Sequence, residues 1–383
     1  MQEVNFDKQE ALELAKLLIT TNTVNPPGNE LALINKLRPL LEKEGLAVEV
    51  DELAPGRANM VITYPGADSN KPCLALTGHL DTVPVGQVQW EHDPFAFDIV
   101  DDVVYGRGTA DMKGPDAAML YALILLKRNG VVPKQNVKFI ATAGEETLSL
   151  GANAFMAKDG MKGVGTLLVG EPSNMELIVA HKGAVWVKVE FFGKTAHGSM
   201  PDLGVNAVLQ MTKFIEILRK QEFPCAPDSE LGMPTFSINT VQGGAATNVV
   251  PDHAECTIDF RTIPGQTWED VEEFLTKALR EAAAGDVTFD YKYSCLGPVL
   301  NPVACPKGHH LLDDLDKAAG YAIKRTHVNF FTDASVLVKP GLPVVIFGPA
   351  DSKQAHQPNE HMPLAQFYEA IRVYYNFIKD YEV

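Results

Sequence analysis

Residues 73–84 read CLALTGHLDTVP, an apolar run that ends in His79 and, two positions later, Asp81. The run is too short for a helix and does not alternate with polar residues. That pattern predicts a strand buried on both faces, the kind found in parallel sheets. Similar short runs bounded by glycine follow at Asn136–Ala143 and Gly165–Val169. Further strands are predicted at Ala47–Leu53 and Ala58–Tyr64. Amphipathic helices are predicted at Asp7–Leu18 and Glu30–Lys43, and a long helix at Pro115–Arg128. Buried strands alternating with helices predict an α/β domain with a mostly parallel sheet.

The middle of the chain reads differently. Strands are predicted at Ala184–Phe192, Pro234–Val241, Ala254–Arg261 and Val287–Tyr293, with helices at Val205–Lys220 and Thr267–Ala284. The order β-α-β-β-α-β is the ferredoxin-like pattern. Alternation along the strands predicts a sheet with one covered face. Beyond it, α/β character resumes with a helix at Gly308–Lys324, a strand at Val344–Phe347 and a helix at Pro363–Tyr381. The expected division is therefore residues 1–181 and 297–383 as one α/β domain, which holds the candidate catalytic residues considered below, interrupted by an inserted α+β domain at 182–296.

The chain has 383 residues, a length that suits two cores. Its formal net charge of -16 argues against nucleic acid or an anionic membrane as partner, since both call for a basic face. Five scattered cysteines, with no C-x-x-C pair, point away from a disulfide framework or a thiolate metal site. They suit a reducing compartment. The opening MQEVNFDKQEALELAKLL is mixed-charge and amphipathic, unlike a signal peptide, and a cytoplasmic location is expected. No apolar run approaches the length of a membrane span.

The candidate chemistry gathers at strand ends, where open α/β sheets place their ligands. His79 and Asp81 lie at the end of the first buried strand, and an aspartate can fix the tautomer of a metal-binding imidazole. Asp111 sits in the glycine-rich loop YGRGTADMKG, just before a helix, as either a bridging ligand or a simple helix cap. Glu145 and Glu146 follow a strand in ATAGEET. Two desolvated carboxylates repel, and cations would remove that cost. One of the pair can bind metal while the other moves a proton. Glu171 follows a strand in VGEPS, and His356 lies in the loop AHQPNE. Two imidazoles and several carboxylates form a nitrogen and oxygen donor set suited to zinc, with cobalt or manganese as substitutes. No G-x-S-x-G, H-E-x-x-H or G-x-x-x-x-G-K-[ST] motif competes. His197 and Ser199 could suggest a serine hydrolase, but they belong to the inserted domain.

Seven stretches in order resemble a superfamily of dinuclear zinc hydrolases: GHLDTVP, GRGTADMKG, ATAGEET, VGEPS, GKTAHGSMPDLGVNA, GGAATNVVPDHAECTIDFR and AHQPNE. Members include acetylornithine deacetylase, succinyl-diaminopimelate desuccinylase, aminoacylase and carboxypeptidase G. The resemblance implies two ions per chain. One would be held by His79, Asp111 and Glu171, and the other by Asp111, Glu146 and His356. It makes Glu145 the general base and Asp81 the residue that orients His79. It also implies a homodimer through the inserted lid domain, with His197 reaching a partner's site and Asn248 nearby. Arg261 would bind a substrate carboxylate, and Thr332 in FFTDAS would lie on the substrate loop. The stretch HKGAV around Lys182 is similar to the acetylornithine deacetylase version, whereas FFTDAS lacks the glycine-rich loop of desuccinylases. The expected activity is deacylation of a small N-acyl amino acid. A dipeptidase or carboxypeptidase is the second reading, and a non-catalytic binding protein a third.

Overall fold

The computed structural model describes residues 4–383, so the opening MQE of the N-terminal stretch lies outside it. The described chain forms two compact units. The first comprises residues 4–180, Ala304–His327 and Thr332–Val383, and the second comprises His181–Val303 with Val328–Phe331. Each has its own hydrophobic core. Among the described residues, no helix is long and apolar enough to cross a membrane.

The first unit is mixed α/β around a largely parallel sheet. Its neighbouring strands run Val48–Ala54, Arg57–Tyr64, Val137–Thr142, Cys73–His79, Val164–Val169, Val344–Ile346 and Leu177–His181. All seven residues of Cys73–His79 are buried, as an apolar run flanked by two strands requires. That strand pairs in parallel with Val137–Thr142 on one side and Val164–Val169 on the other, and Val344–Ile346 extends the parallel block. The outer pairings of Arg57–Tyr64 and of Val344–Ile346 with Leu177–His181 are antiparallel. Helices Lys8–Thr20, Lys113–Arg128 and Leu364–Asp380 supply much of the same core. The C-terminal helix predicted over Gly308–Lys324 is shorter. It spans Leu311–Ala319 and stops at Gly320, whose φ of 85° is a left-handed cap that glycine adopts without a steric penalty. The residues after it form the strand Arg325–Val328.

In the second unit the strands Gly183–Phe192, Thr235–Gly243, His253–Thr262 and Asp290–Cys295 alternate with helices Ala207–Leu218 and Trp268–Ala283 in ferredoxin-like order. The sheet is antiparallel, with His253–Thr262 and Gly183–Phe192 central. Val185, Val187, Val189 and Phe191 point into the core with Phe214, Phe260 and Phe274, while the intervening residues are partly exposed. Asn206 caps the first helix by accepting from the Val208 and Leu209 amides, which explains its start at Ala207, two residues past the predicted Val205.

One buried group in the first unit contradicts its surroundings. Asp116, in the first turn of Lys113–Arg128, is fully buried, and neither carboxyl oxygen has a hydrogen-bond partner among the described residues. A side-chain oxygen lies against the Gly78 backbone so closely that a Cβ there would collide with it. Burial raises its pKa well above the ordinary carboxylate value. A raised folded-state pKa favours folding below the unfolded-state value and loses that benefit as pH climbs through the folded-state value. Asp116→Leu, which keeps the branched shape, is therefore expected to stabilise the fold by about 1–3 kcal/mol. Denaturant titrations in chelator should show a larger gain at pH 8 than at pH 5. A loss of stability at both values would contradict the assignment.

Candidate metal centre

Parallel register decides which side chains meet. His79 pairs opposite Thr142, and Thr77 opposite Val169. Glu145 lies three residues past Thr142. Glu171 lies two past Val169, level with His79. The sequence-predicted residues from three neighbouring strands therefore gather at the carboxyl ends of those strands. Asp111 joins them from the glycine loop, with helix Lys113–Arg128 starting two residues later. The Asp111 carboxylate faces imidazoles and does not cap that helix.

His79 is 1% exposed. Its Nε2 lies 3.0 Å from Asp111 Oδ1 and 3.6 Å from Glu171 Oε1. On the far side of Asp111, His356 Nε2 lies 3.3 Å from Oδ2 and 3.0 Å from Glu146 Oε2. Two groups of ligand atoms result, each close enough to share an ion: His79, Asp111 and Glu171, and Asp111, Glu146 and His356. Asp111 belongs to both, offering a different oxygen to each imidazole. His356 is carried on a backbone with φ of 65°, a left-handed conformation that costs energy for a non-glycine residue and is common at functional sites.

The electrostatics are those of an anion-rich pocket. Burial, then repulsion from Asp111, pushes the Glu146 and Glu171 carboxyls up. Burial opposes a charge on His79, yet Asp111 and Asp81 beside it hold its pKa well above the usual value. Hydrogen bonds to Asp111 and Glu146 lift His356 to about 10. Such a set of buried carboxylates, with imidazoles between them, has the donor chemistry of a divalent zinc-type site.

Glu145 stands outside both ligand groups, although it is 8% exposed and packed among their members. It opens a short 3-10 turn, Glu145–Thr147, flanked by left-handed Gly144 and Leu148. Burial raises its pKa, and so do Asp333, Glu171 and Glu146. Asp81 serves both sides of this arrangement. The His79 Nδ1 lies 3.0 Å from the Asp81 carbonyl oxygen and 3.5 Å from Oδ1. The Asp81 carboxylate accepts the amides of Glu145 (3.0 Å) and Glu146 (3.3 Å) and the Asn25 amide group (2.8 Å).

Other predicted residues fall elsewhere. Thr332, in the first unit, is fully buried, and its hydroxyl oxygen accepts from the Ala334 amide. His197, Asn248 and Arg261 lie in the second unit. His197 and Asn248 are neighbours there: Gly198 N donates to the Asn248 carbonyl at 2.8 Å, and the His197 Nδ1 lies 2.7 Å from Ser199 Oγ. Arg261 pairs with Asp259, with Nη2 donating at 2.9 Å, and lies over the Phe331 ring.

Sequence reasoning missed Asn25, Asp333 and Glu360. Asp333 is buried and accepts from Thr142 Oγ1 at 2.5 Å, at the root of the Glu145 turn. Glu360 is fully buried against the Asp111 loop. Its place four residues after His356 was the one available signal.

The family model for peptidase family M20/M25/M40 matches residues 75–380. An acetylornithine deacetylase of Photorhabdus laumondii is 32% identical, with 92% of each chain covered. A probable succinyl-diaminopimelate desuccinylase of Staphylococcus aureus is 28% identical, covering 96% of this chain and 97% of that one. Among solved structures, an aminopeptidase from Bacillus cereus superposes with a TM-score of 0.78 at 22% identity, covering 97% of this chain and 98% of that one. A dinuclear metal-binding M20 peptidase from Bacillus subtilis gives 0.74 at 18% identity, with 97% of each chain covered.

The geometry makes a direct prediction for metal binding. His356→Ala should lower zinc uptake by about one equivalent, because a single ligand group contains it, whereas Asp111→Ala should weaken both sites. Equilibrium dialysis with elemental analysis measures this. Unchanged uptake by Asp111→Ala would refute the bridging role.

Proposed function

The chain belongs to peptidase family M20/M25/M40, and on that premise we propose that it removes the acyl group from a small N-acyl amino acid. It is a hydrolase of amide bonds. One observation carries the proposal: two ligand groups share Asp111, and Glu145 lies buried beside both without belonging to either. The named deacylase relatives are 32% and 28% identical, against 22% and 18% for the peptidase structures, which favours deacylation over peptide cleavage. Peptide-bond hydrolysis by the same centre is the second reading. A non-catalytic binding role would be marked by loss of a ligand or of Glu145, and all six residues are present.

We assign two ions per chain, zinc by donor chemistry, with cobalt or manganese as substitutes. His79, Asp111 and Glu171 would hold one, and Asp111, Glu146 and His356 the other. Ions bound there supply Lewis-acid polarisation of the scissile carbonyl and acidify a water. The chain's own residues do the rest. Glu145 takes the proton of the attacking water and returns it to the departing amine. Burial, the first cause of its raised pKa, favours proton uptake by its carboxylate. Asp81 keeps the Glu145 turn and the His79 ring in place through the bonds described above.

Arg261 is assigned to the substrate carboxylate, which would share the guanidinium with Asp259. Asn248 and Thr332 are assigned to the substrate, and His197 to the developing oxyanion of a partner's site. A homodimer through the second unit is supported by its uncovered apolar residues. Leu203 is 63% exposed, Leu209 65% and Val241 56%, and Val241 lies on the edge strand Thr235–Gly243. Five free cysteines suit a cytoplasmic setting.

A hydrolysis panel of N-acetyl, N-succinyl and dipeptide substrates tests the activity. Chelator-sensitive turnover of N-acyl amino acids is expected, and turnover of dipeptides alone would favour the second reading. Glu145→Gln should retain its metal and lose turnover by about 10²–10⁴-fold. Near-normal turnover would remove Glu145 as the base. Mixing inactive His197→Ala with inactive Glu145→Ala should restore part of the activity. Its absence after verified subunit exchange would place His197 outside a partner's site.

A further inference from the structure

Glu360 and Arg107 lie outside both ligand groups, yet they join the segments that carry them. The Glu360 carboxylate is fully buried and makes a set of charge-assisted bonds to one loop. It accepts from the amides of Ala110 (2.8 Å) and Asp111 (2.9 Å), and from Gly108 N at 3.1 Å. Gly108 has φ of 89°, the left-handed turn that lets successive N–H groups converge on one anion. The backbone answers in the other direction, with Gly106 N donating to the Glu360 carbonyl at 3.0 Å.

Arg107, 1% exposed, completes the arrangement. Its Nη1 donates to Glu360 Oε2 at 2.5 Å and its Nη2 to the Pro84 carbonyl at 3.3 Å. Its guanidinium lies 5.1 Å from the Trp90 ring, and Trp90 donates to the Val85 carbonyl. Three segments therefore meet at this pair: the one that follows His79 and Asp81, the loop that carries Asp111, and the loop that carries His356. In the last, His356 and Asn359 both adopt left-handed backbone, with φ of 65° and 56°, and the Asn359 side chain accepts from the Glu91 amide at 2.8 Å. A buried ion pair is a poor source of net stability compared with apolar packing. Its geometry is what it contributes here.

We propose that Glu360 and Arg107 form a positioning pair that sets the spacing between Asp111 and His356, and so the metal affinity of the centre. The inference rests on the metal-centre reading given above. Neither residue is a ligand. Glu360 acts through the Asp111 amide, and Arg107 acts through Glu360 and the Pro84 carbonyl.

The test is cobalt and zinc titration of the full chain after metal removal by chelator, with cobalt absorption and calorimetry as readouts. Wild type is expected to take up about two equivalents. Glu360→Gln, with native circular dichroism, is expected to bind about 10- to 100-fold more weakly and to show an altered cobalt spectrum, as loss of a supporting partner does elsewhere. Glu360→Asp, which keeps the charge, should recover part of the affinity. Arg107→Lys should weaken binding in the same direction. Wild-type affinity and spectrum in folded Glu360→Gln would overturn the inference while leaving the metal centre intact. Should Glu360→Gln not fold, folded Arg107→Lys with wild-type binding would overturn it equally. Failure of both variants to fold would make the pair a folding determinant and also end the proposal. Wild type that takes up no metal would instead remove the centre itself.

Discussion

Parallel pairing of Cys73–His79 with a neighbour on each side fixes the height at which each candidate ligand leaves the sheet. With His79 level with Thr142 and Thr77 level with Val169, a glutamate three residues past one strand and another two past the next reach the same space. Because side chains alternate between faces, a one-residue slip in either pairing would turn the ligands away from each other. All seven residues of the central strand are buried, so a slipped register would have little apolar surface to gain. The packing that holds the sheet together thus also holds the centre to its geometry.

That geometry is costly without cations. Asp111, Glu145, Glu146 and Glu171 share a space in which burial and mutual repulsion raise the carboxyls of the three glutamates. Only Asp111, held between two imidazoles, stays well below the ordinary value. A fold selected for stability alone would not collect these groups. Left-handed backbone at Leu148, Ser149 and His356 adds to the cost. The remaining interactions around the pocket (Asp81 on the Glu145 and Glu146 amides, Glu360 on the Asp111 loop) satisfy backbone donors that would otherwise be buried without partners.

The strand-end residues were legible in the sequence because buried strands announce themselves as short apolar runs, and the ligands follow at once. His79, Glu145 and Glu171 are found that way. Asp111 and His356 were not separable from a helix cap and a surface histidine on local grounds, and the ordered family resemblance brought them in. Asn25, Asp333 and Glu360 stayed hidden for a different reason. Their roles depend on partners far away in the chain, and nothing in TVNPP, FFTDAS or AHQPNE marks a hydrogen bond to a distant loop. The helix predicted over Gly308–Lys324 failed at Gly320, where an amphipathic pattern continued past a residue that turns the backbone left-handed. In the second unit, alternation along Gly183–Phe192 and His253–Thr262 made the one-sided sheet readable, since the partly exposed residues inside these strands lie between buried ones.

The residues assigned to substrate and those assigned to metal obey different constraints. The metal donors all grow from the first unit, whose core is built from the parallel sheet and its helices. Of the residues assigned to substrate or oxyanion, Thr332 shares the first unit, whereas Arg261, Asn248 and His197 grow from a separate core of valine and phenylalanine under an antiparallel sheet. Substitution on the partly exposed face of that second sheet leaves the register around His79 untouched, because no strand of the first sheet's parallel block depends on it. On the assignments proposed above, substrate preference would drift while the hydrolytic centre stayed fixed. This accounts for a family in which relatives named as deacylases and structural neighbours named as peptidases share one architecture.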